Sequence, residues 1–469
     1  MSSENQLSRP VAGDTDVADR FRGTLRAIAA DNGIPGISFA SCIGGREICV
    51  QAGVASVESQ APVTPESRFE ISCITKFLVS LVCLRLAADH VLRLDNSVLE
   101  YVPDLRRENG AFDDRVLVAH LLAHSSGLSG PDIFDSQVLW TSSWSKLLKY
   151  LEAAERGFLP GTVFNYDHSG YVIVGKIIEQ LTGRLPLELV REMLLLPLGI
   201  AVGTAREDKK NKHQFVSGHR AGSAGQASAL MAMAPGAFWR SSLSGWTMSP
   251  SELLKIVQWL AMPQSSTSAP AVFAHQQLAA LRASWICIPP ALATGAQTER
   301  PPLSFGAGCA RYPHGVFGHN GSFGGQTFAL RFDPDRGIAF CVAMNIWLPD
   351  IRDSLCDLAL TELAGVDLHD TSESSPPGRL SLMCGPFTRD EVVGVYRNGQ
   401  SRSVEVLPEE DGLSIQGESG GNRFHIAVPD ASSRPISVRG THHRAVGFFA
   451  DPQTGRPCLS MDMYAFGKV

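Results

Sequence analysis

The sequence predicts an α/β sandwich in which a single antiparallel sheet is built from both ends of the chain. Two strand-like segments near the N-terminus, at 37–43 and 46–51, are joined by a Gly44-Gly45 turn. A long, mostly helical region follows. Strand-like patterns then return at 316–319, 326–332 and 338–345. One sheet with helices on its faces gives all of these strands partners.

The helices follow from apolar spacing and end signals. An amphipathic helix is predicted over 18–32. The next begins near Cys73 and runs through 77–88, where apolar residues cover most of its circumference, as in a central buried helix. Ser249, Pro250 and Glu252 form a capping box that starts another helix. The remaining helices are predicted at 116–124, 142–156, 168–182, 186–195 and 351–364.

Composition divides the chain into two folded parts. Residues 367–379 are polar and rich in Pro, Gly and Ser, which is typical of a linker. Short period-two segments separated by turns follow, and they predict a small all-β domain over 380–469. Residues 18–366 form the main domain, and 1–17 are a flexible N-terminus.

Charge and composition exclude several kinds of partner. The 469 residues carry 41 basic and 47 acidic side chains, and the largest basic cluster is Lys209, Lys210 and Lys212. We therefore expect no nucleic-acid partner. No segment reaches the roughly 18 apolar residues of a membrane span, and the first ten residues have no apolar signal core. We expect a cytoplasmic protein without a membrane partner.

Neither the cysteines nor the histidines suggest a metal site. Ten cysteines are scattered without a Cys-x-x-Cys pair, as expected of reduced thiols. His120 and His124 are four residues apart, but Leu121 stands where a metalloprotease helix carries glutamate. We interpret both histidines as structural and expect neither metal nor cofactor.

The segment at Cys73 has the pattern of a reactive thiol. Cys73 and Lys76 stand three residues apart at the start of the buried helix, which places both side chains on one face. The helix dipole and the ammonium both favour the thiolate. A buried lysine can also lose its charge and act as a base. The spacing alone has low specificity.

Further blocks in order along the chain make the pattern specific. With Cys73 and Lys76, they resemble the penicillin-recognising acyl-enzyme superfamily of class C β-lactamases, D,D-peptidases and related esterases and acyltransferases. The blocks are Ile34-Pro-Gly-Ile-Ser, Pro62-Val-Thr-Pro-Glu-Ser-Arg-Phe69, Leu94-Asp-Asn-Ser-Val98, His120-Leu-Leu-Ala-His-Ser-Ser-Gly-Leu128, Leu159-Pro-Gly-Thr-Val-Phe-Asn-Tyr166-Asp-His-Ser-Gly-Tyr171 and Gly318-His319-Asn320-Gly321.

The resemblance covers about 18–365 and implies both a fold and a site. The fold is a β-lactamase/transpeptidase-like sandwich with an all-helical lobe, followed by a small lipocalin-like antiparallel β module. The implied catalytic residues are Cys73, Lys76, Tyr166 and His319. The implied substrate-binding residues are His168, Asn320, Gly321 and Ser322. The backbone N–H of residue 73 and one from the strand after Gly321 would form the oxyanion hole.

Two positions depart from the family pattern. The family nucleophile is serine, and its position holds Cys73; Ser72 next to it leaves a shifted register open. The Tyr-x-Asn element reads Tyr166-Asp167-His168. His168 either replaces the amide structurally or carries a proton near neutral pH. An unchanged pH profile in His168→Asn would exclude the second role.

A cysteine nucleophile changes the expected reaction. Its acyl adduct is a thioester, which amines attack readily, and a thiolate gains little against an unactivated amide. We therefore expect a cytosolic acyltransferase that moves an acyl group from a thioester or ester to an amine or alcohol in secondary metabolism. The donor would be a small-molecule or peptidyl substrate, including one on a carrier protein. The alternatives are an esterase or D-amino-acid amidase or peptidase, and a catalytically decayed binding protein.

Overall fold

A computed structural model gives the structure of most of the chain. The described residues are 12–106, 112–129, 144–151, 155–200, 215–221, 227–229, 243, 246–261, 275–288, 302–368, 389–398, 402–409, 412–419, 422–428, 436–438, 444–451, 456–461 and 464–468. No helix within these ranges is long and apolar enough to cross a bilayer.

Regular structure consists of two large sheets, several short strand pairs and a set of helices. The helices are α1 (Ala12–Asp31), α2 (Ile74–Ala88), α3 (Val98–Tyr101), α4 (Val118–Leu122), α5 (Trp144–Leu151), α6 (His168–Thr182), α7 (Pro186–Val190), α8 (Pro250–Ala261), α9 (His275–Arg282), α10 (Pro349–Leu358) and α11 (Arg389–Val392). Short 3-10 or π turns occupy Pro103–Leu105, Arg191–Leu195, Leu196–Leu198, Pro313–Gly315 and Ala359–Leu363.

The strands fall into two groups along the chain. The first group is β1 (Gly36–Ile43), β2 (Arg46–Gly53), β3 (Phe69–Glu70), β4 (Leu128–Ser129), β5 (Glu155–Arg156), β6 (His219–Ala221), β7 (Ala227–Ala229), β8 (Thr247–Met248), β9 (Ile286–Cys287), β10 (Ser304–Phe305), β11 (Ala310–Arg311), β12 (Phe317–Phe323), β13 (Gln326–Asp333) and β14 (Ile338–Met344). The second is β15 (Gly394–Asn398), β16 (Arg402–Glu409), β17 (Gly412–Ser419), β18 (Asn422–Val428), β19 (Ile436–Val438), β20 (Arg444–Ala450), β21 (Pro457–Met461) and β22 (Tyr464–Lys468).

The first sheet joins the two ends of the main domain. Its strand order is β2-β1-β14-β13-β12-β11-β10-β9, and every adjacent pair is antiparallel. β1 pairs with β14, with Ile37 opposite Met344 and Ile43 opposite Ile338. The prediction of one antiparallel sheet built from both ends is confirmed. β13 and β14 are buried along their whole length, because helices cover both of their faces.

Alternating side chains give this sheet two apolar faces. On one face Phe39 packs with Phe21 of α1, at 4.8 Å between ring centroids, in a cluster that also includes α10. On the other face Phe328 and Phe332 belong to a cluster with α2, α6 and α8. Nearly all residues of α2 are buried, so its all-round apolar character reflects a central position.

Most helix predictions agree with the structure, and one is wrong in extent. α6 spans the predicted residues, and Ser249 and Glu252 form the predicted capping box at the start of α8, with bonds of 2.9 and 3.1 Å. The helix predicted over 142–156 ends at Leu151, because Glu155 and Arg156 pair with β4 instead. The last helix of the main domain ends at Leu358 and continues as a π turn.

The second sheet lies at the C-terminus. Its order is β18-β17-β16-β15-β22-β21-β20-β19, so neighbours in sequence pair and the first strand pairs with the last. β18 and β19 stand at the edges, and no ladder joins them in the described part of the chain. The predicted small antiparallel β module is therefore present, without a closed barrel among the described residues. Most of the linker, residues 1–11 and the Lys209 cluster lie outside the described residues.

Candidate active site

Cys73 stands at a sharp turn between a short strand and the buried helix. β3 pairs with β8, and Ser72 then adopts a left-handed backbone conformation with φ of 49°. Cys73 follows as the N-cap residue of α2 and is partly exposed. A serine at positive φ is uncommon, and such positions concentrate at functional sites. The turn leaves the thiol at the positive end of the helix dipole.

Ser72 ties this turn to the first sheet. Its hydroxyl donates to the Ser322 carbonyl in β12 at 3.1 Å and lies 3.7 Å from the Cys73 Sγ. The residue is only 1% exposed. These contacts give Ser72 a structural place and argue against a shifted register in which it, rather than Cys73, would attack a substrate.

Lys76 lies on the next turn of α2 among aromatic side chains. It is completely buried, and its Nζ is 5.3 Å from the ring centroid of Tyr166 and 5.9 Å from that of Tyr171. Aromatic faces stabilise a nearby ammonium. The Ser80 hydroxyl donates to the Lys76 carbonyl and lies 2.9 Å from the Tyr171 hydroxyl, which donates to the Leu122 carbonyl. This chain of contacts fixes α2 against the end of α4.

Tyr166 sits just before α6 and is 8% exposed. The ring of His124 stacks on it, with 4.1 Å between ring centroids and 29° between planes. The backbone N–H groups on either side of Tyr166 are also bonded to His124: Asn165 to its carbonyl at 2.8 Å and Asp167 to its Nδ1 at 3.1 Å. The tyrosine is therefore held at its ring and at both flanking amides.

His168 is the first residue of α6 and lies beside Tyr166. The two rings meet edge to face, with 5.0 Å between centroids, and His168 is 7% exposed. The carboxylate of Asp167 caps the helix by accepting the N–H groups of Ser169 and Gly170 at 2.9 and 3.0 Å. The cap fixes the start of α6 and with it the place of His168.

β12 supplies the opposite wall of the site. His319 lies opposite Leu330 and Gly321 opposite Phe328, on the sheet face that carries α2. A Cβ on Gly321 would lie 2.3 Å from the Ile71 carbonyl oxygen and 3.4 Å from the Cys73 nitrogen. Glycine is therefore required for β12 to pass this close to the turn at Cys73. That approach brings the backbone of β12 beside the N–H of Cys73.

The Asn320 side chain does not reach the site. Side chains alternate along β12, and Asn320 lies opposite Ala329 on the other sheet face. Its amide accepts from Arg331 at 2.8 Å and donates to Asp353 at 3.4 Å. The predicted substrate contact of this side chain is corrected accordingly. Ser322 adjoins the turn through its carbonyl, which accepts from Ser72.

The surroundings of Cys73 favour its ionised form. Burial is the largest single influence and raises the pKa of the thiol, but the Lys76 ammonium opposes it. Hydrogen bonds from Tyr166, Ser72 and Lys76 add to that opposition. The net result is a pKa of Cys73 below its ordinary value, which increases the fraction of nucleophilic thiolate at neutral pH.

Two histidines at the site are held neutral. Burial, and then the charge of Lys76, lower the pKa of His319 to about 3. Its Nδ1 lies 2.7 Å from the Asn320 carbonyl, which can only accept, so Nδ1 carries the proton. Burial and Lys76 likewise hold the pKa of His124 well below its usual value. Lys76 thus has neutral rings, rather than further cations, on these sides.

A residue that the sequence analysis treated as structural is part of this arrangement. His124 was set aside because Leu121 stands where a metalloprotease helix with this histidine spacing carries glutamate. No cluster of three His, Cys, Asp or Glu that could hold a metal occurs among the described residues. The sequence signal that could have indicated a role for His124 is its place in the block at 120–128, one of the ordered blocks that also include Cys73 and Tyr166.

The second sheet contacts the site's aromatic cluster. Cys458 and Ala465 of β21 and β22 are buried in the same cluster as Phe164 and Tyr166, against which Cys73 also packs. The Ala465 N–H donates to the Asn165 side-chain oxygen at 3.1 Å, and the Asn165 amide donates to the Leu128 carbonyl at 3.0 Å. Asn165 directly precedes Tyr166, so the C-terminal sheet is bonded next to that tyrosine.

The fold and this constellation define an acyl-enzyme protein of the penicillin-recognising class. A sequence profile for the family described as Beta-lactamase matches residues 21–362. The chain therefore belongs to the Beta-lactamase family, a family of acyl-enzyme hydrolases and transferases.

Individual proteins agree with this placement. Penicillin-binding protein 4 of Amycolatopsis lactamdurans is 25% identical over 384 residues, which cover 78% of this chain and 96% of that protein. The crystal structure of SurE superposes with a TM-score of 0.75 at 21% identity, covering 98% of this chain and 100% of that one. EstCE1, a hydrolase with promiscuous acyltransferase activity, gives a TM-score of 0.60 at 19% identity, covering 73% and 100%.

Proposed function

We propose that the protein is a cysteine acyltransferase. In this reaction Cys73 takes an acyl group from a thioester or ester and passes it to an amine or alcohol, with hydrolysis as a side route. The observation that carries the proposal is the Cys73 thiol beside the buried Lys76, with a pKa below its ordinary value. Family membership supports the acyl-enzyme chemistry in general.

Acylation begins with transfer of the Cys73 proton to Lys76. The thiolate attacks the carbonyl carbon, forming the S–C bond and an oxyanion. The backbone N–H of Cys73 and one from β12 after Gly321 stabilise that oxyanion. The intermediate then breaks the bond to the donor thiol, which leaves with a proton returned from Lys76 through Tyr166. The product is an S-acyl enzyme and a free thiol.

Deacylation reverses these roles. An amine attacks the Cys73 thioester and gives one proton to the Tyr166–Lys76 pair. The intermediate expels the Cys73 thiolate, so an amide forms and the enzyme is regenerated. Amines compete well with water for a thioester, whereas attack on an unactivated amide would have to expel an amine, a worse leaving group than the thiolate. The cysteine thus favours transfer from activated donors over peptide hydrolysis.

The proposal extends to the source of the donor. Carrier proteins present acyl groups as thioesters, and exchange between one thioester and another is nearly balanced in energy. A small-molecule or peptidyl acyl group on such a carrier, in cytosolic secondary metabolism, fits the Cys73 chemistry. A second candidate function, an esterase or D-amino-acid amidase, keeps the same residues and replaces the acceptor by water.

Partitioning between acceptors separates these two functions. The enzyme is given a short-chain acyl thioester with and without a panel of primary amines and alcohols, and products are quantified. For the transferase we expect an amide or ester to exceed the free acid when acceptor is present. A free acid as the sole product at every acceptor concentration, with efficient turnover of p-nitrophenyl esters, would replace the proposal by the hydrolase function.

A further inference from the structure

We propose that His124 is a positioning residue that holds Tyr166 in the orientation its proton transfer requires. The inference rests on the proposed function, in which Tyr166 works with Lys76 and Cys73. It assigns a role to a buried histidine that makes no bond of its own to the nucleophile in the described structure.

The first support is the way His124 surrounds Tyr166. Its carbonyl accepts the Asn165 N–H, its Nδ1 accepts the Asp167 N–H, and its ring covers the tyrosine ring between those two bonds. A backbone segment fixed on both sides of one residue leaves that residue little freedom. The tyrosine side chain is fixed in turn by the stacked ring.

The second support is the backbone of His124 itself. Its φ is 53°, in the left-handed region that residues with a side chain seldom adopt. In this conformation its carbonyl and its ring both face residues 165–167. Such local strain is retained where the surrounding structure depends on it.

The third support is the protonation state that the contacts impose. Because Nδ1 accepts the Asp167 N–H, the ring proton is on Nε2. Nε2 is buried and has no hydrogen-bond partner among the described residues, and the residue is 1% exposed. The rings of Tyr171, Phe164 and Phe305 surround the His124 ring, with 5.1, 6.0 and 5.2 Å between ring centroids. A neutral ring here supports Tyr166 without adding a second cation beside Lys76.

His124→Phe tests the inference, because phenylalanine keeps an aromatic ring and removes the Nδ1 acceptor. His120→Phe is the matched control: His120 lies in the same block and its Nδ1 also accepts a backbone N–H, from Leu117 at 3.2 Å. His124→Asn keeps a hydrogen-bond acceptor near the position of the histidine Nδ1 and removes the stacked ring. This variant replaces His124→Phe in the test if the phenylalanine variant does not fold.

Two readouts are compared with wild type in variants whose thermal unfolding shows a folded protein. One is the rate at which a short-chain acyl thioester acylates Cys73. The other is the pH midpoint of Cys73 alkylation by iodoacetamide, measured on the Cys73 peptide. In the His124 variants we expect the acylation rate to fall about ten-fold, the effect of losing the one hydrogen bond that Tyr166 donates to the Cys73 thiolate. We also expect the alkylation midpoint to rise, because displacement of Tyr166 removes its bond to Cys73.

Alkylation needs no acyl donor, so the two failures can be told apart. A wild-type protein that never acylates would contradict the proposed function and leave the midpoint comparison intact. A folded His124→Phe or His124→Asn protein with both the wild-type midpoint and the wild-type acylation rate would overturn the role of His124. Equal losses in His120→Phe would overturn it as well, by showing a general effect of the block.

Discussion

At the scale of single residues, the proposed chemistry depends on Cys73 and Lys76. Burial alone would raise the pKa of the thiol, as it does for Cys83, whose pKa reaches about 12 without a neighbouring cation. Cys73 differs because Lys76 and three hydrogen bonds oppose burial. The same helix thus carries one inert thiol and one with a depressed pKa.

The first prediction concerns this charge. Lys76→Met should raise the pH midpoint of Cys73 alkylation, because burial then acts without the ammonium that opposes it. Since the thiolate is the reactive form, alkylation at neutral pH should slow. The measurement is the iodoacetamide rate at the Cys73 peptide as a function of pH. Lys176→Met is the control, since Lys176 lies on a different helix, α6, and forms an ion pair with Glu179 at 2.8 Å. An unchanged alkylation midpoint in Lys76→Met would contradict the effect of the Lys76 charge on the Cys73 thiol.

Several residues that the sequence patterns group together lie close to one another in the structure, and others do not. Cys73, Lys76, Tyr166 and His319 were named from ordered blocks, and the structure brings them together at the start of α2. Asn320 was placed wrongly as a substrate contact. Strand alternation, readable from its neighbours, would have turned its side chain away from His319. His124 was missed because its partners, Asn165 and Asp167, are about forty residues away.

At the scale of elements, the approach of β12 to the start of α2 determines the site. Contacts at Gly321 and the Ser72–Ser322 bond join two elements that are distant in sequence. The positions of most helices and of β1, β2, β12, β13 and β14 were predictable because periodicity is local. The β4–β5 pair was not, since two-residue strands carry almost no pattern and depend on their partner.

The second prediction tests this approach. Gly321→Ala should slow acylation of Cys73 by about a hundred-fold, the cost of a shift of roughly 1 Å in catalytic geometry. The new Cβ would meet the Ile71 carbonyl oxygen at 2.3 Å. Gly23→Ala, on α1 with open space around its Cβ and no positive φ, is the control and should keep acylation. Acylation rates follow from timed intact mass spectra, and equal rates in both variants would contradict the proposed contact.

At the scale of the whole molecule, the question is whether the two sheets act together. Ala465 is fully buried where the second sheet meets the aromatic cluster of the first. Its N–H bonds Asn165, next to Tyr166. The order of strands in the second sheet follows from turns and alternation in the sequence, but its docking involves side chains and a main-chain N–H that no local pattern indicates.

The third prediction follows from that docking. Ala465→Arg places a long charged side chain in a buried apolar contact, so the sheets should separate. We expect one thermal unfolding transition in wild type, two in the variant, and slower acylation of Cys73. Val395→Arg is the control, since Val395 is 37% exposed on β15. A single transition with wild-type acylation in Ala465→Arg would show that docking does not support the site.

The most direct test of the account is intact-protein mass spectrometry after incubation with short-chain acyl thioesters. Wild type, Cys73→Ala and Ser72→Ala are compared, with thermal unfolding as a check on folding. We expect one acyl group on wild type and on Ser72→Ala, and none on Cys73→Ala. An adduct that persists in Cys73→Ala, or that disappears only in Ser72→Ala, would contradict Cys73 as the nucleophile.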